Sequence, residues 1–339
     1  MTFLKRQPVV RLLTALLLCL YCTGTVFAAG GPGGSSITAP GQAGPGIAYE
    51  SAGSVFLGSD LHEDPADLRK AAEQAEYYVN SNYGRSVSAV IHAGDLVKKT
   101  HEGRLSEFNA AFAEVFHSID PAGSDCYYTY GNHDRNVKAD GPNAFICSAG
   151  CSGKESPART AGAVDLNGCF WLWGIDYYEM KDESCAAAAA AVFTAWAESL
   201  PDEDRRPILV ISHMPLHDRR QDNKGAAVWL DALNAAAQKN DLFFFWGHNH
   251  SGWSFADAQA AFLKPGASLT VQGAAGGRQI LFTYGMTGFL GKDEGNWSAS
   301  TLTLSGNEIL IDHYTRSGHY NTEVIPRKDI QAGTGLAAA

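Results

Sequence analysis

Basic side chains are scarce in this chain. It carries 26 Lys and Arg against 36 Asp and Glu, a formal charge of -10 at pH 7. That balance excludes a generic grip on nucleic acid or an anionic membrane, because both depend on clustered cations. An uninterrupted apolar run of about 20 residues, the length of a membrane span, is also missing, since Thr23, Gly24 and Thr25 break the N-terminal one. Neither Cys19 nor Cys22 follows a small residue, which removes the pattern of a lipid-anchored cysteine. An even cysteine set is lacking too: beyond those two stand Cys126, Cys147, Cys151, Cys169 and Cys185, so at least one thiol has no partner within a monomer. With no internal repeat and no low-complexity break in the middle of the chain, the sequence suits one large domain.

The N-terminus carries a clear address. Lys5, Arg6 and Arg11 precede an apolar core at residues 12–20, and small residues follow at Ala28 and Ala29. This is the pattern of a secretory signal peptide over residues 1–28, with an uncleaved anchor as the alternative. Cleavage removes three cations and no acid, leaves a more acidic protein with no membrane segment, and implies a periplasmic or secreted location where disulfides form. Cys147 and Cys151, in FICSAGCSG, are the nearest local pair; a zinc knot there is the alternative, although no second pair at ligand spacing accompanies it. Residues 29–50 are rich in Gly, Pro and Ser and read as a flexible spacer. The expected folded domain spans 51–320, followed by a frayed tail at 321–339.

Within that domain short apolar runs recur, each ending in a polar or glycine-rich turn: SVFLGSD, SVSAVIHAGD, CYYTYGNHD, CFWLWGID, RPILVISH and LFFFWGH. Helical spacing separates several of them, over 65–83 behind Asp64 as N-cap, 105–119, 184–200 and 226–239. The alternation predicts an α/β fold with a sheet buried on both faces. After Pro265 strands follow one another without helices, in SLTVQG, QILFTYG, STLTLSG and NEILIDHY, which suits a second sheet or an antiparallel edge.

Ligands of α/β sheets gather beyond the carboxyl ends of the strands, and here those ends are rich in donors. They present Asp60 and His62 in SDLH, Asp95 in AGDL, Asn132, His133 and Asp134 in GNHD, His213 in SHMP, and His248 and His250 in WGHNH. Each fragment alone has an ordinary structural explanation as a helix cap, a turn or a satisfied surface group. Together they need an independent explanation at every strand end, whereas one metal site accounts for all of them.

This ordered set resembles the calcineurin-like metallophosphoesterase superfamily, whose pattern is Asp-x-His, Gly-Asp, Gly-Asn-His-Asp or Glu, His, then Gly-His-x-His. Here it reads DLH at 60–62, GD at 94–95, GNHD at 131–134, His213 and GHNH at 247–250. The resemblance implies a two-sheet sandwich flanked by helices, a four-layer fold forming a single catalytic domain, with FTYGMTGFLG closing the second sheet. It also implies two divalent or first-row metal ions, of Mn, Fe or Zn. Asp60, His62, Asp95 and His250 would hold one, and Asp95, Asn132, His213 and His248 the other. Asp95 would bridge through its two oxygens, and Gly247 would provide the sharp turn that lets both His248 and His250 reach the ions. The activity implied is hydrolysis of small phosphate monoesters or diesters by a metal-bridged hydroxide, with His133 as proton donor to the leaving group and Asp134 fixing its tautomer. Lys98 stands where purple acid phosphatases place a tyrosine ligand, which argues against a tyrosinate-iron centre, and no room remains for a second domain like that of the secreted 5'-nucleotidases. The rival readings are a metal-bearing scaffold without turnover and a nuclease. The acid balance opposes the nuclease. His92 reads as packed; His217 reads as a pocket-lining residue or, equally, a capped surface turn, and Arg135, Lys138, Lys154, Arg159, Arg219, Arg220 and Lys224 as contacts to a substrate phosphate or, by default, solvated loop charges.

Overall fold

A computed structural model describes residues 53–62, 65–140, 144–148, 159–216, 223–248, 269–271, 278–280, 283–286, 288–289 and 297–327. The signal, the spacer, Cys151, Lys154, His217, Arg219, Arg220, His250 and the last residues lie outside this set.

The chain begins with β1 (Ser54–Ser59), α1 (Pro65–Tyr83), β2 (Val87–His92), β3 (Gly103–Arg104) and α2 (Leu105–Ala113). Next come β4 (Cys126–Tyr128), β5 (Val137–Lys138), β6 (Phe145–Cys147), β7 (Arg159–Ala161), β8 (Val164–Leu166) and β9 (Phe170–Ile175). Helices α3 (Tyr177–Lys181) and α4 (Glu183–Ser199) lead to β10 (Ile208–Ser212), α5 (Ala226–Ala237) and β11 (Leu242–Trp246). Strands alone follow: β12 (Leu269–Val271), β13 (Arg278–Ile280), β14 (Thr283–Met286), β15 (Gly288–Phe289), β16 (Ser298–Ser305), β17 (Glu308–Thr315) and β18 (Gly318–Pro326).

Local chemistry starts several of these elements. Pro65 opens α1, where its fixed φ suits a first helical turn. Asp176 and Glu179 form a reciprocal capping box at α3, and Asp182 accepts the Ser184 and Cys185 amides at α4. The apolar spacing that predicts helix as far as residue 119 is helical only to Ala113. Phe116 and Ile119 are still buried, but from turns, in which the Val115 and Ile119 amides bond back three residues to the Phe112 and Phe116 carbonyls.

Two large sheets result. The nine-stranded sheet runs β18-β17-β16-β1-β2-β4-β6-β7, with β15 also paired to β1; the five-stranded sheet runs β14-β11-β10-β9-β8. All six apolar runs expected before residue 250 are strands, and their pairings, β1 to β2, β2 to β4, β9 to β10 and β10 to β11, are parallel. Of the late strands, β12 and β13 pair with each other in a small antiparallel sheet, and the others divide between the two large sheets. β14 adds to the second sheet parallel to β11, while β16, β17 and β18 form an antiparallel extension of the first. β18 crosses position 320, where the tail was expected to begin, and runs to Pro326; its polar, half-exposed alternation is that of an edge strand.

Side-chain alternation builds the layers. Val55, Leu57, Ala89 and Ile91 of one sheet meet Leu209, Ile211, Phe243 and Phe245 of the other in a core between the sheets. Their sequence neighbours Phe56, Val90, Val210 and Phe244 face the opposite way and join a core with Phe112, Phe193, Trp229 and Leu233 of the helices. Ala186, Ala189 and Ala190 are buried in α4, so the alanine run serves packing. The result is helix, sheet, sheet, helix. No helix among the described residues is long and apolar enough to cross a membrane.

Candidate metal centre

The parallel strands of both sheets end at the same place. Beyond β1 the chain enters the left-handed region at Asp60 (φ 52°) and His62 (φ 48°), beyond β2 at Asp95 (φ 56°), and beyond β11 at His248 (φ 67°). Among the described non-glycine residues only Asn167 shares that conformation. Such backbone costs energy wherever a Cβ is present, about 1–3 kcal/mol per residue, and is retained where position matters more than stability.

Glycines make room for the turns to meet. A Cβ on Gly247 would lie 2.3 Å from Asp60 Oδ2, and one on Gly131 would lie 2.3 Å from both Asp95 N and Asp95 Oδ1. The role expected of Gly247 therefore changes: the sharp turn belongs to His248, and Gly247 admits the Asp60 carboxylate. That carboxylate accepts the His248 amide at 2.9 Å, which ties the end of one sheet to the other.

His213 is the focus. Its Nδ1 lies 2.8 Å from the Ala93 carbonyl oxygen and donates to it, which leaves Nε2 with a lone pair in the neutral ring. Around Nε2 stand Asn132 Oδ1 at 3.0 Å, His248 Nδ1 at 3.1 Å and Asp95 Oδ2 at 3.3 Å. Asp60, Asp95 and His213 each offer a donor atom within 4.8 Å of the others, and so do His62, Asp95 and His133. Of the seven expected metal-holding residues, Asp60, His62, Asp95, Asn132, His213 and His248 are thus brought to one centre, and His250 lies outside the described residues.

The electrostatics of the cluster favour a cation. Burial, with the neighbouring Asp95 adding to it, pushes Asp60 up to about 7 despite the pull of His213. Burial works in the same direction on Asp95, but the His213 imidazole overcomes it and holds that carboxyl well below its ordinary range. Burial disfavours charge on His213 too, yet Asp95 and Asp60 push its pKa up to about 10. His62, with burial dominant and His133 beside it, falls to about 4 and stays a neutral donor. At about 10, His213 also holds a proton on Nε2, which a cation would displace; two buried carboxylates, two imidazoles and an amide oxygen then form the hard and borderline donor set of first-row ions. The residues fit the implied metals.

The two residues expected to be catalytic separate in their roles. His133 lies at the mouth with its side chain 30% exposed, Nε2 4.0 Å from Asp95 Oδ2, and its ring edge-on to His62 at 5.0 Å. Asp134 does not orient it. His133 Nδ1 has no hydrogen-bond partner among the described residues, whereas the buried Asp134 carboxylate accepts the backbone amides of Gly131, Asp95 and Leu96. Asp95 also differs from expectation: Oδ1 accepts the His133 amide at 2.8 Å, so Oδ2 is the oxygen left facing the imidazoles. Sequence reasoning missed Ser59, which hydrogen-bonds Asp60, and the Ala93 carbonyl that sets the His213 tautomer. No motif marks a serine ending a strand or a main-chain oxygen. His92 is packed as expected, against Tyr128, and burial takes it down to about 3.

Strand-end donors of this kind on a two-sheet sandwich define a class of metal-handling hydrolases. The chain belongs to the calcineurin-like phosphoesterase family, whose model matches residues 55–252. It is therefore a phosphoester hydrolase by family. No curated protein sequence matches it. Among solved structures it is similar to a conserved uncharacterized protein, a predicted phosphoesterase, from Streptococcus pneumoniae TIGR4, at 12% identity over 81% of this chain and 98% of that one, with a TM-score of 0.32.

Proposed function

We propose that the protein is an exported phosphoesterase with two metal ions that hydrolyses small phosphate monoesters or diesters. The reading is carried by one observation, the convergence of Asp95 Oδ2, Asn132 Oδ1 and His248 Nδ1 on Nε2 of His213. Asp60, His62, Asp95 and His250 would hold one first-row ion and Asp95, Asn132, His213 and His248 the other; when bound, these ions acidify water and neutralise phosphoryl charge. The chain's own groups do the rest. The Ala93 carbonyl keeps the His213 proton on Nδ1, and the His248 amide keeps the Asp60 carboxylate turned inward. His133, partly exposed beside Asp95, is placed to give a proton to the departing oxygen. The acidic balance of the chain favours small phosphate esters over nucleic acid.

Export is supported by the pattern of residues 1–28 and the spacer at 29–50, ahead of a catalytic domain that begins near residue 51. N-terminal sequencing of the periplasmic protein should find a start near Ala29, and an intact Met1 there would contradict it. For activity, purified protein supplied with Mn(II) or Zn(II) should hydrolyse an aryl phosphate monoester or diester. Two bound metals without turnover of either ester would establish a non-catalytic scaffold instead, and digestion of single-stranded DNA or RNA in preference to both would establish a nuclease.

A further inference from the structure

The loops after β2 and β4 are stapled to each other by a reciprocal pair of carboxylates, and only one of the pair belongs to the expected donor set. Asp134 is fully buried. Its Oδ2 accepts Gly131 N and Asp95 N, each at 2.8 Å, and its Oδ1 accepts Leu96 N at 2.7 Å. In return Asp95 Oδ1 accepts His133 N at 2.8 Å. The two backbones also touch directly, since a Cβ on Gly94 would lie 2.8 Å from Gly131 N and Cα.

We propose that Asp134 is a positioning residue whose carboxylate clamps the backbone at 94–96, so that left-handed Asp95 presents Oδ2 to the centre before any cation arrives. The proposal rests on the reading of this cluster as a metal site. It follows from what each atom is left to do. Asp95 has its amide held by Asp134 and its Oδ1 held by His133 N, so a single oxygen and a single direction remain. Without Asp134 two adjacent amides of a strained turn lose their acceptor, since the other ties of that turn, Asp60 N to the Gly94 carbonyl at 2.9 Å and His62 N to the Asp95 carbonyl at 3.1 Å, engage its oxygens and leave those amides bare. Both Asp134 oxygens go to backbone amides, and among the described residues none bonds the His133 imidazole.

Two measurements test it. In unmutated, chelator-treated protein the Asp95 and Leu96 amides should remain protected from hydrogen exchange; exchange there at the rate of the exposed 98–100 turn would mean the clamp is not preformed and would overturn the proposal. That result needs neither metal nor activity. In Asp134→Asn, where an amide nitrogen replaces one acceptor, Co(II) affinity should fall about 10–100-fold and the cobalt absorption spectrum should change, with far-UV circular dichroism retained. A lower melting temperature with the cobalt spectrum and affinity unaltered would reduce Asp134 to a structural residue. Unaltered cobalt binding with a shifted pH profile would place it behind His133. Either outcome overturns the clamp. Should the variant fail to fold, the exchange measurement decides; should unmutated protein bind no cobalt, the metal reading fails while the exchange result still stands.

Discussion

Substituting Gly247 by alanine should damage the centre without touching any donor. The new methyl carbon would sit 2.3 Å from Asp60 Oδ2 and 2.7 Å from Ser59 Cβ and Oγ. Ordinary contact between such atoms needs more than 3 Å, so the carboxylate has to retreat by about 1 Å. It has nowhere to go, because Ser59 is the last residue of a fully buried strand and the His248 amide holds the same carboxylate from the next residue of the turn. Overpacking costs about 1–3 kcal/mol, and loss of a hydrogen bond to a charged acceptor about 1.5–3 kcal/mol. The two overlap, so a fall of about 3 kcal/mol is expected, or roughly 6–12 °C in Tm for a domain of this size. Metal affinity should drop about 10–100-fold, as when a group that orients a ligand is lost. Thermal unfolding in chelator and calorimetric titration with Mn(II) measure both. Gly84→Ala is the control: its backbone is left-handed (φ 61°), unlike that of Gly247, but the added methyl meets nothing within 4 Å. It should cost about 1 kcal/mol and leave metal binding alone. A Gly247→Ala protein with wild-type Mn(II) affinity, or one no less stable than Gly84→Ala, would refute the close-approach argument.

Other outcomes follow from the same geometry. His213→Ala removes the nitrogen around which three donors gather and should weaken metal binding by more than about 100-fold, read by equilibrium dialysis; unchanged occupancy would remove His213 from the centre. His133→Asn should cut turnover of an aryl phosphate by about 10²–10⁴-fold with metal content retained; loss of metal instead would make His133 a ligand, consistent with its grouping with His62 and Asp95. Burial, with His319 nearby, holds His313 at about 3, below its ordinary 6.5, so the unfolded chain takes up the proton first as pH falls. Stability from the neutral ring is complete above pH 6.5 and lost progressively toward pH 3, about 1.4 kcal/mol per unit for one proton. Unfolding free energies from urea titrations at pH 7.5 and 5 should therefore diverge by about 2 kcal/mol more in the wild type than in His313→Gln, and equal divergence would contradict the assignment.

The parallel strands were legible because each couples an apolar run to a donor-bearing turn, as in LFFFWGH, and such runs are buried on both faces. Less legible was anything decided between distant segments. Beyond Ala113 the apolar spacing continues in turns rather than helix, and β18 has polar residues on both sides because it lies at an edge. In the site, donor identities were readable from motif spacing, but which oxygen of Asp95 faces inward depends on an amide 38 positions away. Asp134 shows the limit most clearly. Adjacent to His133 in sequence, it turns its carboxylate to the backbone of another loop, since buried amides in a tight turn need an acceptor as much as an imidazole does.

The account is tested most directly by anomalous diffraction at the manganese edge from crystals of the Mn(II)-loaded protein. Two peaks should appear at the carboxyl ends of the strands, one among Asp95, Asn132, His213 and His248 and the other beside Asp60, His62 and Asp95. No peak there, or a single peak on residues remote from His213, would contradict it.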